Sequence, residues 1–148
     1  MSRVDRPGLP AGRWVAMTPT PGLVIDEVEF PVEEGKVREF ALAVGATDLQ
    51  TVPLTFAATA GHWRDQAAMV SMLELDISRV VVGSCEWEYH AGVRIGDRLA
   101  GARVLTNVAE KAGARGTMRI LTLETRLHRV ADGELAILQR DTVIELAS

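Results

Sequence analysis

Val52-Pro53-Leu54-Thr55-Phe56-Ala57-Ala58-Thr59-Ala60-Gly61-His62-Trp63 is the stretch whose reading decides the fold. It is rich in small residues and almost uncharged. Its proline stands near the start, where a helix tolerates one because the first amides have no intrahelical partner. Five β-rich segments flank it. The pattern predicts an α+β protein in which this stretch is the central helix and one antiparallel sheet curls round it.

Working outward, Arg64 to Leu75 is again helix-compatible, either as a continuation past Gly61 or as a second helix. Asp76 to Arg79 reads as a turn. On the other side, Pro31 opens a helix with Glu33 and Glu34 in its first turn, and Gly45 stops it. Val37, Phe40, Ala41 and Val44 recur at helical spacing and give it one apolar stripe. Leu23 to Phe30 alternates with a phase change, which predicts a kinked strand. From Val80 the chain reads as β. Cys85, Trp87 and Tyr89 share one face, opposite Glu86, Glu88 and His90. Arg98 to Ala109 puts Ala100, Ala102, Val104, Thr106 and Val108 on one face. Lys111 to Gly116 reads as a loop. In Thr117 to Val130, Leu121, Leu123 and Leu127 face in, and Asp132-Gly133 is a tight hairpin turn before a closing strand from Glu134 to Leu146. Residues 1–22, rich in proline and glycine, read as an arm, with Trp14 and Val15 laid against a body that spans 23–148.

Composition narrows the function classes. A chain of 148 residues with 47% apolar and 24% charged residues has material for a core and no reason to be disordered. A net charge of −4 argues against non-specific nucleic-acid binding. One cysteine, Cys85, permits no disulfide within the chain and suits a reducing cytosol. No apolar run approaches the ~20 residues of a spanning helix, and the N-terminus lacks the apolar core of a signal peptide. The expectation is a cytoplasmic protein. Three scattered histidines show no metal-ligand spacing.

An ordered series of short motifs points further: Pro53-Leu54-Thr55-Phe56, Gly83 to His90, Arg94-Ile95-Gly96-Asp97-Arg98-Leu99, Val108-Ala109-Glu110-Lys111 with Gly113 and Gly116, and Asp132-Gly133-Glu134-Leu135. Together they resemble the MaoC-like hotdog proteins, and more narrowly the N-terminal FAS1-like dehydratase half of that family. The resemblance implies a hotdog fold, a long helix wrapped by one antiparallel sheet, with dimers joining two sheets edge to edge. It implies acyl thioesters of coenzyme A or acyl carrier protein as ligands, no separate cofactor, and reversible hydration of a trans-2-enoyl thioester.

That hydration needs an acid and a base, and donors for the thioester oxygen where enolate charge develops. The family supplies an Asp and a His on a loop before the central helix. Here the loop reads Gly45-Ala46-Thr47-Asp48-Leu49-Gln50-Thr51-Val52-Pro53. Asp48 matches the acidic position and no histidine follows it on the loop, so Asp48 also reads as a turn or cap residue. His62, the nearest histidine, is the substitute candidate, against a plain reading as a packing residue; His90 reads as surface or interface and His128 as an outward sheet position. Cys85 reads as a thiol nucleophile or as a small buried hydrophobe. The helix start at Pro53, Leu54, Thr55 and Phe56 offers amides to a thioester carbonyl. Arg94 and Arg98, with Arg103, Lys111 and Arg115, read either as holders of coenzyme A phosphates or an acidic carrier, or as sheet-edge charge. The expected function is the substrate-binding, non-catalytic half of a heterodimeric enoyl-thioester hydratase or 3-hydroxyacyl-thioester dehydratase, partnered by a subunit bearing the dyad. The alternatives are a self-sufficient homodimeric hydratase using His62 or His90, a hotdog thioesterase using Glu34, Glu39 or Asp48, and a binding module without turnover.

Overall fold

The computed structural model describes residues 18–148, and the expected placement of Trp14 and Val15 lies outside them. Its elements are β1 (Val24–Pro31), α1 (Glu34–Ala43), a 3-10 helix (Phe56–Trp63), α2 (Gln66–Met72), a short 3-10 turn (Ile77–Arg79), β2 (Val80–Tyr89), β3 (Arg98–Gly113), β4 (Gly116–Arg129) and β5 (Leu135–Glu145). The five strands form one sheet in the order β1-β3-β4-β5-β2, antiparallel at every step. The three long strands β3, β4 and β5 are a meander joined by hairpins. The sheet is finished by β1 on one edge and β2 on the other.

Local chemistry accounts for most boundaries. Pro31 does not open α1 as expected: it is paired with Arg98 as the last residue of β1, and the helix starts at Glu34. α1 buries Val37 and Ala41 and half-buries Phe40, as the stripe predicts. Val44 does not join them, because the helix ends at Ala43 and Gly45 leaves at φ +75°. The β3–β4 loop is shorter than expected: Lys111 and Ala112 are paired with Met118 and Thr117, and Gly116 at φ +114° makes the reversal. The kink expected in β1 is a bulge between Val24 and Asp26, which turns both Ile25 and Asp26 toward the covered face.

The central stretch departs most from expectation. Val52 to Thr55 is an irregular turn, and only Phe56–Trp63 is helical, as a 3-10 helix rather than a long α-helix. The Phe56 amide donates to the Pro53 carbonyl at 2.9 Å and the Ala58 amide to Thr55 at 3.0 Å, both three-residue spans. The Thr59 hydroxyl donates back to the Phe56 carbonyl at 2.8 Å. A tight helix of small residues lets Phe56, Ala57, Thr59 and Ala60 all face the sheet, a two-stripe pattern that three residues per turn allows. Gly61 to Asp65 ends it. The downstream segment forms a second helix, α2, capped by the Asp65 carboxylate on the Ala68 amide at 2.9 Å.

The two helices cover two separate apolar clusters. The first gathers Phe30, Val32, Val37, Phe56, Ala57, Ala60, Leu99, Leu127 and Ile137; the second gathers Ile25, Leu73, Leu75, Leu105, Leu121, Leu123 and Val143. Between them a row of polar side chains crosses every strand. Strand register pairs Asp26 with Arg103, Arg103 with Thr125, Thr125 with Gln139, and Gln139 with Trp87. Arg103 is only 3% exposed. Its guanidinium grips the Asp26 carboxylate through Nε at 3.1 Å and through Nη2, and donates to Gln66 Oε1 at 3.2 Å. Arg64, its side chain 4% exposed, donates to Thr125 Oγ1 at 3.1 Å and lies 3.8 Å from Asp26. This is a correction on β3. The expected face of Ala100, Ala102, Val104, Thr106 and Val108 is not the buried one; Leu99, Arg103 and Leu105 are, and a bulge between Leu105 and Asn107 changes phase beyond them.

Gly101 lies where β3 crosses β4 closely. A Cβ there would stand 2.1 Å from the Arg126 carbonyl oxygen, a backbone atom that cannot swing aside. Gly101→Ala should therefore destabilise the fold by about 1–3 kcal/mol, as overpacking does. Thermal melting checks this, and an unchanged midpoint would show that the strands separate freely there.

Candidate active site

The link before the central helix is the place to look for an acid and a base. Asp48 is exposed and turned onto its own loop: its Oδ1 accepts from the Gln50 amide at 2.9 Å and the Thr51 amide at 3.2 Å. The Thr51 hydroxyl and these two amides hold its carboxyl below the usual carboxylate range. Asp48 is thus a turn-maker, its carboxylate engaged on its own loop. His62 is exposed at the far end of the 3-10 helix, edge-on to the Trp63 ring with 6.1 Å between centroids. Among the described residues no hydrogen bond or ion pair links His62 to Asp48. Of the other carboxylates considered, Glu39 is paired with Lys36 at 2.8 Å on exposed helix surface, with its acid strength raised chiefly by that contact.

The expected ligand end of the helix is partly closed. Phe56 is 1% exposed and packs edge-on against Phe40 at 5.7 Å, so its side chain belongs to the core and not to a ligand surface. Its amide and that of Ala58 are used within the turn. Among the described residues nothing accepts from the Leu54 or Thr55 N–H. These two amides, with exposed Leu54 and Thr55 and part-buried Pro53, are what the turn offers a carbonyl oxygen.

A cleft of about 320 Å³ opens beside this turn, lined by Val52, Leu54, Tyr89, His90, Ala91, Gly92 and Val93. The end of β2 builds its other wall. The Tyr89 hydroxyl donates to the Leu54 carbonyl, and burial pushes its pKa up, so it stays a donor. His90 Nε2 lies 3.1 Å from Glu88 Oε1, a carboxylate-oriented imidazole. Sequence reading gives His90 as surface or interface, and it is indeed exposed, at the cleft's edge. Its spacing from Glu88, two residues on one strand and hence one face, was the available signal.

The basic residues do not form one cluster. Arg94 and Arg98 lie near the same turn. Arg98 is paired with Glu29 at 2.8 Å, and Arg94 lines a polar cleft of about 360 Å³ with Gly92, Asp97, Arg129 and Asp132. There Arg129 is bound by Asp132 and Glu134, and the Arg94 amide donates to Asp97 at 2.8 Å. Arg103 faces the interior, and Lys111 and Arg115 stand at the opposite end of β3, across the hairpin tip. Of the basic residues considered, Arg94, Lys111 and Arg115 enter no ion pair among the described residues, and of these only Arg94 lies at the Gly92–Asp97 turn. His128, half-buried, rests its Nδ1 3.1 Å from the Gly133 carbonyl and supports the β4–β5 turn. The described residues hold no group of three or more metal-ligating side chains, and no helix of the structure is long and apolar enough to cross a membrane.

Cys85 is half-buried beside Asp141, with Sγ 2.7 Å from Oδ1. Burial first, then the hydrogen bond and negative charge of Asp141, push its thiol up to about 12. The thiolate, the only nucleophilic form, is suppressed. Iodoacetamide labelling near pH ~8.5 should be on the order of a hundredfold slower than for a free thiol. Asp141→Asn should quicken it; equally fast labelling of the unaltered protein and the variant would overturn this assignment.

No curated protein sequence matches this chain. Its fold is shared with solved structures at low identity. The C-terminally truncated HadBC (3R-hydroxyacyl-ACP dehydratase) complex from Mycobacterium tuberculosis gives a TM-score of 0.66 at 22% identity, over 84% of this chain and 96% of that one. The ChsH1-ChsH2 complex from the same organism gives 0.61 at 16%, over 83% and 84%. A MaoC-like dehydratase gives 0.67 at 20%, over 88% of this chain and 43% of the other. These share the hotdog architecture seen here, a five-stranded antiparallel sheet laid against a central helix. The family model of the FAS1-like dehydratase domain region matches residues 20–138. The chain therefore belongs to the FAS1-like dehydratase group of MaoC-like hotdog proteins.

Proposed function

We propose that this chain is the acyl-thioester-binding, non-catalytic subunit of an (R)-specific enoyl-thioester hydratase or 3-hydroxyacyl-thioester dehydratase, and that it works beside a hotdog subunit carrying the acid and base. The observation that carries the reading is Asp48: its carboxylate is spent on the turn at Gln50 and Thr51, and no histidine follows on the link. Tyr89, Leu54 and the free amides at the turn supply a wall and donors for the thioester carbonyl, without a proton-transfer pair on the link itself. Coenzyme A or acyl carrier protein is the thioester's carrier, with Arg94 the unpaired cation nearest the cleft to meet a phosphate. Two of the similar structures being complexes, HadBC and ChsH1-ChsH2, supports a paired assembly.

The sheet edges suit that assembly. β1 presents Glu27 and Glu29, with Arg98 beside them, to its outer side, charges that discourage strand addition. β2 is ten residues long and pairs only with β5; Val82 is 71% exposed, with Val81 and Ile77 beside it. This long edge, apolar at its Val80–Val82 end and carrying Glu86 and Glu88 farther along, is the surface we assign to the partner hotdog.

Native mass spectrometry of the co-expressed pair should find a one-to-one complex, and hydration of a trans-2-enoyl-CoA should require both chains. Steady hydration by the pure chain as a homodimer would sink the reading. The carboxylate-oriented imidazole of His90 in the cleft is the one observation that favours a self-sufficient hydratase. In that case His90→Ala would abolish the pure chain's activity, whereas a substrate-binding role predicts that the complex keeps its kcat.

A further inference from the structure

The apolar clusters under the helices occupy one side of the sheet. The strand residues between the buried ones point to the other side, which no helix among the described residues covers. Register lays this outer side out in rows. Asn107, Thr122, Thr142 and Ser84 form one row across four strands, and Ala109, Ile120, Ile144 and Val81 form the next. Neither row carries a charge. Several of their polar groups are answered within the sheet: the Ser84 hydroxyl donates to Thr142 Oγ1 at 3.1 Å, and the Thr106 hydroxyl to the Thr122 carbonyl at 3.2 Å. Covering groups already bonded forfeits little. A contiguous uncharged band on an open sheet marks a contact surface. The two ends of this face differ. Toward the start of β3 a groove of about 480 Å³ runs over Ala100 and Ala102, walled by Glu27 and Glu29. Glu29 is paired with Arg98, whereas Glu27 enters no ion pair among the described residues. Toward the β3–β4 turn stand Lys111 and Arg115, both exposed and both outside any ion pair among the described residues. Val108 divides the two ends evenly, with Ala102 about six residues before it and Ala114 about six after, roughly 20 Å each way.

We infer that this face binds a second copy of the same chain turned end for end, so that each copy's β3–β4 turn enters the other's groove. A surface that meets its own copy must be complementary to itself. A two-fold axis between the faces, crossing the strands at the level of Val108, exchanges the two ends and satisfies that condition. It sets Lys111 and Arg115 of each copy over the groove walled by Glu27 and Glu29 of the other, and it lays the uncharged rows on one another. Packed sheets stand about 10 Å apart, a gap that a long cationic side chain and a glutamate bridge together. A two-fold axis running along the strands sets basic end on basic end, which charge disfavours. The alanines at 100 and 102 matter here, because longer side chains would fill the groove that receives the turn. From Ala102 to the turn the face is about 34 Å long and, over four strands, about 19 Å wide, on the order of 600 Å² per copy. That is the low end of specific interfaces, about 600–1,000 Å² a side. The β2 edge takes no part, so it stays open to the hotdog partner. The inference goes beyond the acyl-thioester reading and stands apart from it.

The test is sedimentation velocity of the pure full chain over a concentration series, with native mass spectrometry for the stoichiometry. The chain should associate reversibly as concentration rises. Thr122→Lys, on the central strand and far from either edge, sets two lysines against each other beside the axis and should halve the mass of the assembly. Glu27→Lys and Lys111→Glu should each weaken association about tenfold, because each contact occurs twice. Combined in one chain, the two exchanges restore opposite charges and should recover most of the loss. Glu27 and Lys111 are exposed, so their exchange spares the fold, and circular dichroism melting verifies it for every variant. A chain that stays single at every concentration overturns the inference, as does an assembly whose mass none of these variants alters. Association through Thr122 that emerges only after residues 1–17 are removed overturns it too, since the chain's own N-terminus is then the occupant. Hydration by the paired subunits is read in a separate assay, so the acyl-thioester reading survives or fails independently.

Discussion

The pairing of Arg103 with Asp26 sets the terms for the rest of the interior. A guanidinium 3% exposed is tolerable only with a carboxylate and further acceptors around it. Removing one partner of such a pair costs about 3–5 kcal/mol, a large share of the 5–15 kcal/mol by which a domain is stable. Several features serve that requirement. Alternation with Val28 and Phe30 turns Asp26 inward, and Gln66 gives Arg103 another acceptor. Arg64 shares the carboxylate and bonds Thr125, although its charge beside Arg103 is unfavourable: burial above all, then Arg103, pulls its pKa down. The helical cover is interrupted between Trp63 and Gln66, where Arg64 descends to the sheet. The apolar core is two clusters because a polar row runs between them.

The same arrangement bears on function. The family's chemistry needs a proton donor and acceptor at the link, and here the link's only carboxylate closes a turn. What survives is a place for a ligand: a cleft beside Leu54, a hydroxyl from Tyr89 fastening β2 to the turn, and amides left over from a 3-10 rather than an α-helical start. His90 lines that cleft, oriented by Glu88 outside it, by virtue of strand geometry and not of the link before the central helix. A binding half and a catalytic half on separate chains is a division that this geometry suits.

Much of the fold was legible in the sequence. The meander, its Asp132-Gly133 turn, the stripe of α1 and the inward leucines of β4 follow from periodicity and turn chemistry. The inner face of β3 did not, because Leu99, Gly101, Arg103 and Leu105 share it by plain alternation while the apolar Ala100, Ala102 and Val104 between them face the other way. Apolar pattern alone therefore reads Arg103 as surface charge beside Arg98. The central helix read as longer than it is: small residues and a leading proline are compatible with either helix type, and the choice was made by tertiary packing of Phe56, Ala57, Thr59 and Ala60 on the sheet. The missing histidine on the link was visible from the first reading. The cleft was not, since it joins Val52 to residues some forty positions away on β2 and beyond.

The bulge in β1 has a consequence for how this interior can change over time. Asp26 shares its face with Val28 and Phe30 by plain alternation, and the extra residue is Ile25, which the bulge turns onto the same side. Losing Ile25 would leave Asp26 opposite Arg103 and take an apolar side chain from the second cluster instead. Losing a residue between Asp26 and Val28 would turn the carboxylate out to solvent and leave Arg103 alone inside. Lineages that vary the lining of this hotdog are thus free to shorten β1 before Asp26 and constrained against shortening it after.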